Sequence, residues 1–318
     1  MQIFKNGRKS MEEFWIESTN KQTKLHAVKW VPEGKIKAVL VIIHGMCEHI
    51  ARYDEFAKCM ADAGILVTGI DLLGHGYTAE TEKELGYFRG KDPATVVVRD
   101  IHKLLKETVK SHRNLPVFLL GHSMGSFIAR NYIARYKSAL SGVILTGGND
   151  SPSIQGHFGR FMTTVLSLFF GWHHRSNLCT MVTFGSYLKK IQDPISTSDW
   201  ICRRKEVVRR YDEDPLCGFT FTLNGYHTLA TFVERSSRES YYKNISKNIP
   251  MLIMSGDEDP VGEYVKGVTR MYERYKKYDN DVTFIIRHGD RHEILNENDR
   301  EEVYEEIRKF IYKKGNLE

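Results

Sequence analysis

Ala38 to Ile43 is apolar throughout and rich in β-branched residues, the composition of a strand buried on both faces of a parallel sheet. Tyr53 to Ala63 follows, with Phe56, Ala57, Met60 and Ala61 on one helical stripe. Strand and helix then alternate: strand Ile65 to Asp71, helix Val96 to Val109, strand Val117 to Leu120, helix Met124 to Tyr136, strand Gly142 to Thr146. The pattern resumes with strand Met251 to Ser255, helix Val265 to Tyr275, strand Val282 to Ile286 and a last helix whose buried stripe is Val303, Ile307, Phe310 and Ile311. Parallel strands need a crossover between them, usually a helix. This repetition therefore restricts the chain to an α/β fold with a mostly parallel, doubly wound sheet covered by helices on both faces. Residues 12–18 and 24–31, on either side of the polar stretch Ser18 to Thr23, read as a hairpin ahead of that sheet.

Between about Asp150 and Asn224 the alternation stops, leaving two apolar clusters, Phe158 to Trp172 and Leu216 to Leu223. The expected organisation is one body made of residues 1–149 and 225–318, with residues 150–224 inserted as a mainly helical cap. At 318 residues with 41% apolar and 27% charged side chains, the chain has material for a large core and lies far from the composition of disordered proteins. Its formal charge of +6 is spread without a run of like charges, so nucleic acid is a poor partner for it. Cys47, Cys59, Cys179, Cys202 and Cys217 are odd in number and lack a C-x-x-C spacing, which points to reduced thiols. The N-terminus lacks the continuous apolar stretch of a secretory signal, and no segment reaches the about 18 apolar residues of a membrane span. A cytoplasmic setting is expected, with the first ten residues read as a flexible leader ahead of Met11.

The chemistry is carried by Phe118-Leu119-Leu120-Gly121-His122-Ser123-Met124-Gly125, a strand running through G-x-S-x-G into a helix. Chance places that motif in a chain of this length roughly one time in ten, so the flanking strand and helix are what give it weight. Glycines are needed on both sides because a serine projected from so sharp a turn brings the neighbouring backbone too close for side chains. Ser123 then needs a base, and the base a carboxylate to orient it. In folds of this kind the order along the chain is serine, acid, histidine. Asp259, in GDEDP after one strand, and His292, in HGDRHE after the next, supply that order; Asp257 and Glu258 are rivals for the acid and His288 for the base. An oxyanion hole completes the set. Its donors are expected to be the N–H of Met124, directly after the serine, and of Met46, in the loop after Ala38 to Ile43.

The segments HGMCEHIARY (His44 to Tyr53), DLLGHG (Asp71 to Gly76), GHSMG, GDEDP and HGDRHEILNE, in that order, together resemble the monoacylglycerol lipase and bacterial lysophospholipase family of serine-aminopeptidase-like α/β-hydrolases. The resemblance spans about residues 12–149 and 225–313. It implies the α/β-hydrolase fold, carboxylic-ester hydrolysis without a cofactor, and an acyl chain held under the cap. It also implies that Glu48, Arg52 and His122 form the polar end of the site near the glycerol hydroxyls, with a buttressing role for Glu48 and Arg52 as the alternative. Cys47 departs from the family, standing where a second glycine of HGxG is usual, and Leu295 stands where mammalian lipases place a further histidine. The expected substrate is a small acyl ester or monoacyl lipid. Phe158 to Trp172 is expected to build the cap's own core, with lining an acyl tunnel or touching a membrane surface as alternatives. A second reading, an aminopeptidase, needs cap carboxylates for the substrate ammonium, for which Asp212, Glu213 and Asp214 are available; a third is a binding protein that has lost turnover. His44, His49, His75, His173 and His174 show no metal-ligand spacing, and no catalytic metal is expected.

Overall fold

The computed structural model describes residues 11–136 and 140–317; the proposed leader, residues 1–10, lies outside them. The strands are β1 (Met11–Glu17), β2 (Lys24–Trp30), β3 (Ala38–Ile43), β4 (Ile65–Ile70), β5 (Val117–His122), β6 (Gly142–Thr146), β7 (Met251–Gly256) and β8 (Val282–Arg287). They form a single sheet in the order β1-β2-β4-β3-β5-β6-β7-β8. β1 and β2 pair antiparallel, β2 joins β4 antiparallel, and every pairing from β4 to β8 is parallel. The helices are α1 (Asp54–Asp62), α2 (Pro93–Ser111), α3 (Met124–Arg135), α4 (Ser153–Phe170), α5 (Asn177–Phe184), α6 (Lys205–Glu213), α7 (Leu223–Ser237), α8 (Glu239–Asn244), α9 (Lys266–Lys277) and α10 (Arg300–Gly315).

Side chains alternate across a strand, so β3 divides the core in two. Val39, Val41 and Ile43 face a cluster built with α2, α3, α7 and α9. Ala38, Leu40 and Ile42 face the opposite cluster, where α1 contributes Phe56, Ala57 and Met60, and α10 contributes Val303, Ile307, Phe310 and Ile311. Both faces of the central strands are covered, which is why their sequences run apolar without alternation. α2 starts sharply because Pro93 occupies its first position and the Asp92 side chain accepts from the N–H of Thr95.

Between β6 and β7 the chain carries α4 to α8. α4 corrects one expectation: it does not bury its large side chains. Gly156 and Gly159 face α7, where an added Cβ at Gly156 would meet Glu234 Cβ at 2.6 Å and Ala230 O at 2.8 Å. The residues α4 buries are small, Gly156, Thr163 and Ser167, while Leu168 and Phe169 are each 78% exposed and Phe158, Phe161 and Phe170 are exposed beside them. Most of Phe158 to Trp172 is therefore not the core of this segment: inward, α4 offers close backbone approach to α7, and Met162 and Leu166 are half-buried against the core. α7, which the strand and helix patterning did not anticipate, packs against both α3 and α4.

Candidate active site

β5 ends at His122, and Ser123 turns the chain into α3 with φ 53° and ψ −119°. That left-handed φ is unusual for a residue with a side chain and costs of order 1 kcal/mol or more. The flanking glycines make the turn feasible. A Cβ on Gly121 would lie 2.3 Å from Gly125 O, and one on Gly125 would lie 2.0 Å from Ile43 O. The serine backbone is anchored by its own N–H to Thr146 O at 2.9 Å and by Ser126, whose N–H and hydroxyl both donate to Ser123 O.

Asp259 and His292 lie in the loops after β7 and β8, on the same edge of the sheet. His292 Nδ1 bonds Asp259 Oδ1 at 3.0 Å, and both side chains are buried. Oδ1 also accepts from the N–H of Val261 at 2.8 Å, whereas the buried Oδ2 has no partner. Burial works against the imidazolium of His292, but the charge and hydrogen bond of Asp259, with smaller help from Glu293 and Glu48, outweigh it and raise the pKa above the ordinary histidine value. The rival pair also forms: His288 Nδ1 bonds Asp257 Oδ2 at 2.6 Å, but the His288 side chain is 99% exposed and does not border the cavity described below.

The loop after β3 is held from inside by a buried carboxylate. Glu48 Oε1 accepts from the N–H of Gly45 at 2.5 Å and from Tyr53 Oη at 2.9 Å, and Oε2 accepts from Arg52 at 2.7 Å. Burial pushes the Glu48 pKa up, yet Arg52, the nearby imidazoles and the Gly45 N–H together bring it down to about 2. Arg52 in turn forks onto both oxygens of Glu293, at 2.6 and 2.7 Å. The residue after the histidine is thus tied to the loop carrying Met46. The adjacent Cys47 sits at φ 56°, where glycine is ordinarily favoured. Its side chain has a use, since the thiol donates to Phe219 O at 2.9 Å.

Ser123, His292, Met46 and Met124 all border one cavity of about 270 Å³, together with Glu48 and His122. Its apolar wall includes Met162, Val182, Phe184, Leu229 and Val233. Arg52 does not border it; with Glu48 it lines a much smaller space of about 10 Å³ behind His122, to which Leu295 also contributes. His122 bonds Thr146 Oγ1 through Nδ1 at 3.0 Å, and burial, aided by His292, lowers its pKa to about 4, so it is neutral near pH 7. Asp212, Glu213 and Asp214 are not on the cavity wall: Asp212 accepts from Ser196 and Ser198, Glu213 pairs with Arg209 and Asp214 pairs with His49.

Three participants were missed from sequence. Gly147 has φ 59°, and a Cβ there would meet His292 Cε1 at 2.8 Å and His122 Cε1 at 2.9 Å; the Gly-Gly after β6 was its signal. Glu293 was overlooked beside the histidine. The Trp200 ring lies 5.0 Å from that of His292, and nothing in the local pattern marks it.

Residues 34–299 match the family described as serine aminopeptidase, S33. The chain is 27% identical over 282 residues to the monoacylglycerol lipase of Mycolicibacterium smegmatis, covering 89% of this chain and 90% of that one. It is 24% identical over 282 residues to phospholipase YtpA of Bacillus subtilis, covering 86% and 94%. Among solved structures, a thermostable carboxyl esterase from Bacillus coagulans in complex with glycerol superposes with a TM-score of 0.89 at 28% identity, covering 96% of this chain and 98% of that one.

Proposed function

The chain belongs to the serine aminopeptidase S33 family of α/β-hydrolases, and from that premise we propose that it hydrolyses carboxylic esters of monoacyl lipids, of monoacylglycerol or lysophospholipid type, through an acyl-enzyme on Ser123. The observation that carries this reading is the buried His292–Asp259 pair opening onto the same apolar-walled cavity as a serine set in a strained strand-to-helix turn.

In this mechanism the Ser123 hydroxyl attacks the ester carbonyl as His292 takes its proton, and the same histidine returns that proton to the departing alcohol. Water then repeats the sequence on the acyl-enzyme and releases the acid. Asp259 holds the imidazole by Nδ1 and stabilises its charged form. The N–H groups of Met46 and Met124 receive the oxyanion, each worth about 10²- to 10³-fold in rate. Glu48 and His122, on the cavity wall, meet the polar alcohol portion, while Arg52 supports Glu48 from behind. The relatives and the esterase neighbour, named for monoacylglycerol, phospholipid and ester substrates, support this assignment.

The cap comprises residues 150–224 in this reading, set on the body of residues 1–149 and 225–318. The outward apolar side of α4 makes weak contact with a membrane surface and lets a lipid ester pass into the cavity. No helix among the described residues is long and apolar enough to cross a membrane. All five cysteines are free, which supports a reducing, cytoplasmic setting. No cofactor enters the mechanism.

The test is hydrolysis of long-chain monoacylglycerol, lysophospholipid and nitrophenyl acyl esters by the parent and by Ser123→Ala, with fluorophosphonate labelling in parallel. Loss of both turnover and label in the variant is expected; parental turnover by Ser123→Ala would refute the assignment.

A further inference from the structure

Away from the catalytic cavity, His49, Asp214 and Cys217 bring three different donors to one point. His49 Nε2 lies 2.8 Å from Asp214 Oδ2, and one ring nitrogen, one carboxylate oxygen and Cys217 Sγ of the three residues lie within 4.8 Å of one another. The turn from Asp214 to Cys217 aligns two of them: Cys217 N–H donates to Asp214 O at 2.9 Å, and Leu216 N–H donates to Asp214 Oδ1 at 2.8 Å, leaving Oδ2 to His49. The third donor comes from the loop after β3, 165 residues away. His49 and Cys217 are nearly enclosed, whereas the Asp214 side chain is 30% exposed, leaving solvent access on one side.

The seam around this point is already tight. Gly218 N–H and Tyr211 Oη each donate to Cys47 O at 3.0 Å, and the Cys47 thiol donates to Phe219 O. The donor set therefore bridges two segments whose backbones are fixed independently of it, which is the preorganisation a metal site needs. Arg52, a cation close enough to act on Cys217, is committed to Glu48 and Glu293.

We propose that His49, Asp214 and Cys217 form a Zn²⁺-type metal site that clips the segment after α6 to the loop after β3, with water as fourth ligand. One imidazole nitrogen, one carboxylate oxygen and one thiolate are the ligand types of tetrahedral zinc, and the nitrogen and sulfur donors disfavour Ca²⁺ and Mg²⁺. Metal–ligand lengths of about 2.0 to 2.3 Å place ligand atoms roughly 3.3 to 3.6 Å apart in a tetrahedron. The His49–Asp214 hydrogen bond must open by about half an ångström and the sulfur move in by about 1 Å, within the reach of side-chain rotation. On binding, the Cys217 thiol gives its proton to solvent and His49 carries its remaining proton on Nδ1, so at least one proton is released per ion. None of its ligands borders the cavity, so the ion takes no part in the proposed ester hydrolysis.

The test is a Co²⁺ titration of the full chain under reducing conditions. The expected result is a thiolate-to-cobalt charge-transfer band in the near ultraviolet that saturates at one equivalent, is displaced by Zn²⁺, is lost in Cys217→Ser and is at least about tenfold weaker in affinity in His49→Gln. Zn²⁺ should also raise the Tm of the parent and shield Cys217 from alkylation, mapped by mass spectrometry, a readout that needs no variant to fold. No band in the parent, an undiminished band in Cys217→Ser, or alkylation of Cys217 that proceeds at the same measurable rate with and without Zn²⁺ would overturn the proposal. These readouts do not depend on turnover, so they stand or fall apart from the ester-hydrolase assignment, and Ser123→Ala should bind cobalt as the parent does.

Discussion

Replacing Asp259 by asparagine isolates charge from geometry in the proposed base. Oδ1 of Asp259 accepts from two N–H groups at once, Val261 N and His292 Nδ1, while Oδ2 has no partner. An asparagine therefore places its carbonyl oxygen where Oδ1 stands and its NH₂ where Oδ2 stands, because the reverse orientation would set a donor against the Val261 N–H. The imidazole keeps its tautomer and loses only the countercharge. With Nδ1 and Oδ1 3.0 Å apart, the charge centres are about 4 Å apart, and at an effective dielectric near 20 the attraction is worth about 4 kcal/mol. At about 1.4 kcal/mol per decade, Asp259→Asn should lower kcat/KM by roughly 10³-fold. The acid limb of the pH profile supplies a second reading. The base works only when neutral, and Asp259 raises the His292 pKa against the opposing effect of burial, so the parent's limb should lie above pH 6.5 and the variant's should move to lower pH. Steady-state hydrolysis of a nitrophenyl ester between pH 5 and 9 measures both. A loss smaller than tenfold, or an acid limb that stays in place, would refute the role given to Asp259.

Arg52→Met should destabilise the fold by about 3–5 kcal/mol in urea unfolding, because it strands the buried carboxylates of Glu48 and Glu293 without their common partner. Gly147→Ala forces a Cβ to within 2.8 Å of His292 Cε1 at a φ of 59°; a stability loss of about 1–2 kcal/mol should accompany a fall in kcat, both visible in one expressed variant. Leu168→Ser with Phe169→Ser, at positions 78% exposed, should leave the Tm and the hydrolysis of soluble nitrophenyl esters unchanged while reducing turnover of monoacylglycerol presented in vesicles. Asp290 is driven up to about 7 by burial and by its neighbours Asp299 and Glu297, against Arg203. A carboxyl whose folded pKa is raised costs no stability below its unfolded value near 3.8 and its full cost above about 7, so Asp290→Asn should raise the Tm at pH 8 relative to the parent and not at pH 4.

The sheet and the proposed triad were legible because each rests on a short-range rule. A strand buried on both faces must be apolar, as Ala38 to Ile43 is. A serine at φ 53° must be flanked by residues without side chains, and Gly121 and Gly125 are spaced accordingly. Asp259 and His292 follow strands that the apolar run Met251 to Met254 and the β-branched-rich run Val282 to Ile286 announce. The sequence favoured His292 over His288 and Asp259 over Asp257, but what separates the two pairs physically is burial. That difference depends on how the two loops cross, with the Asp290 carbonyl accepting from Glu258 N–H at 2.9 Å, a contact that no local pattern encodes.

α4 defeats the same rules because hydrophobicity is the wrong variable there. Its inward face is chosen for smallness, with Gly156, Gly159 and Thr163 letting the helix approach α7, so the apolar side chains that ordinarily mark a buried stripe are pushed to the outside. Arg52 was obscure for a different reason. Read along the chain it is one cation after Glu48, at the spacing of an ordinary helical ion pair, and only the arrival of Glu293, 241 residues later, turns it into the tie between two loops. A single guanidinium holding both carboxylates means that the loop carrying Met46 and the loop carrying His292 cannot be displaced independently. A disturbance at either end should therefore register at the other, and the geometry around Ser123 depends on an ion-pair network whose central guanidinium, Arg52, does not border the main cavity.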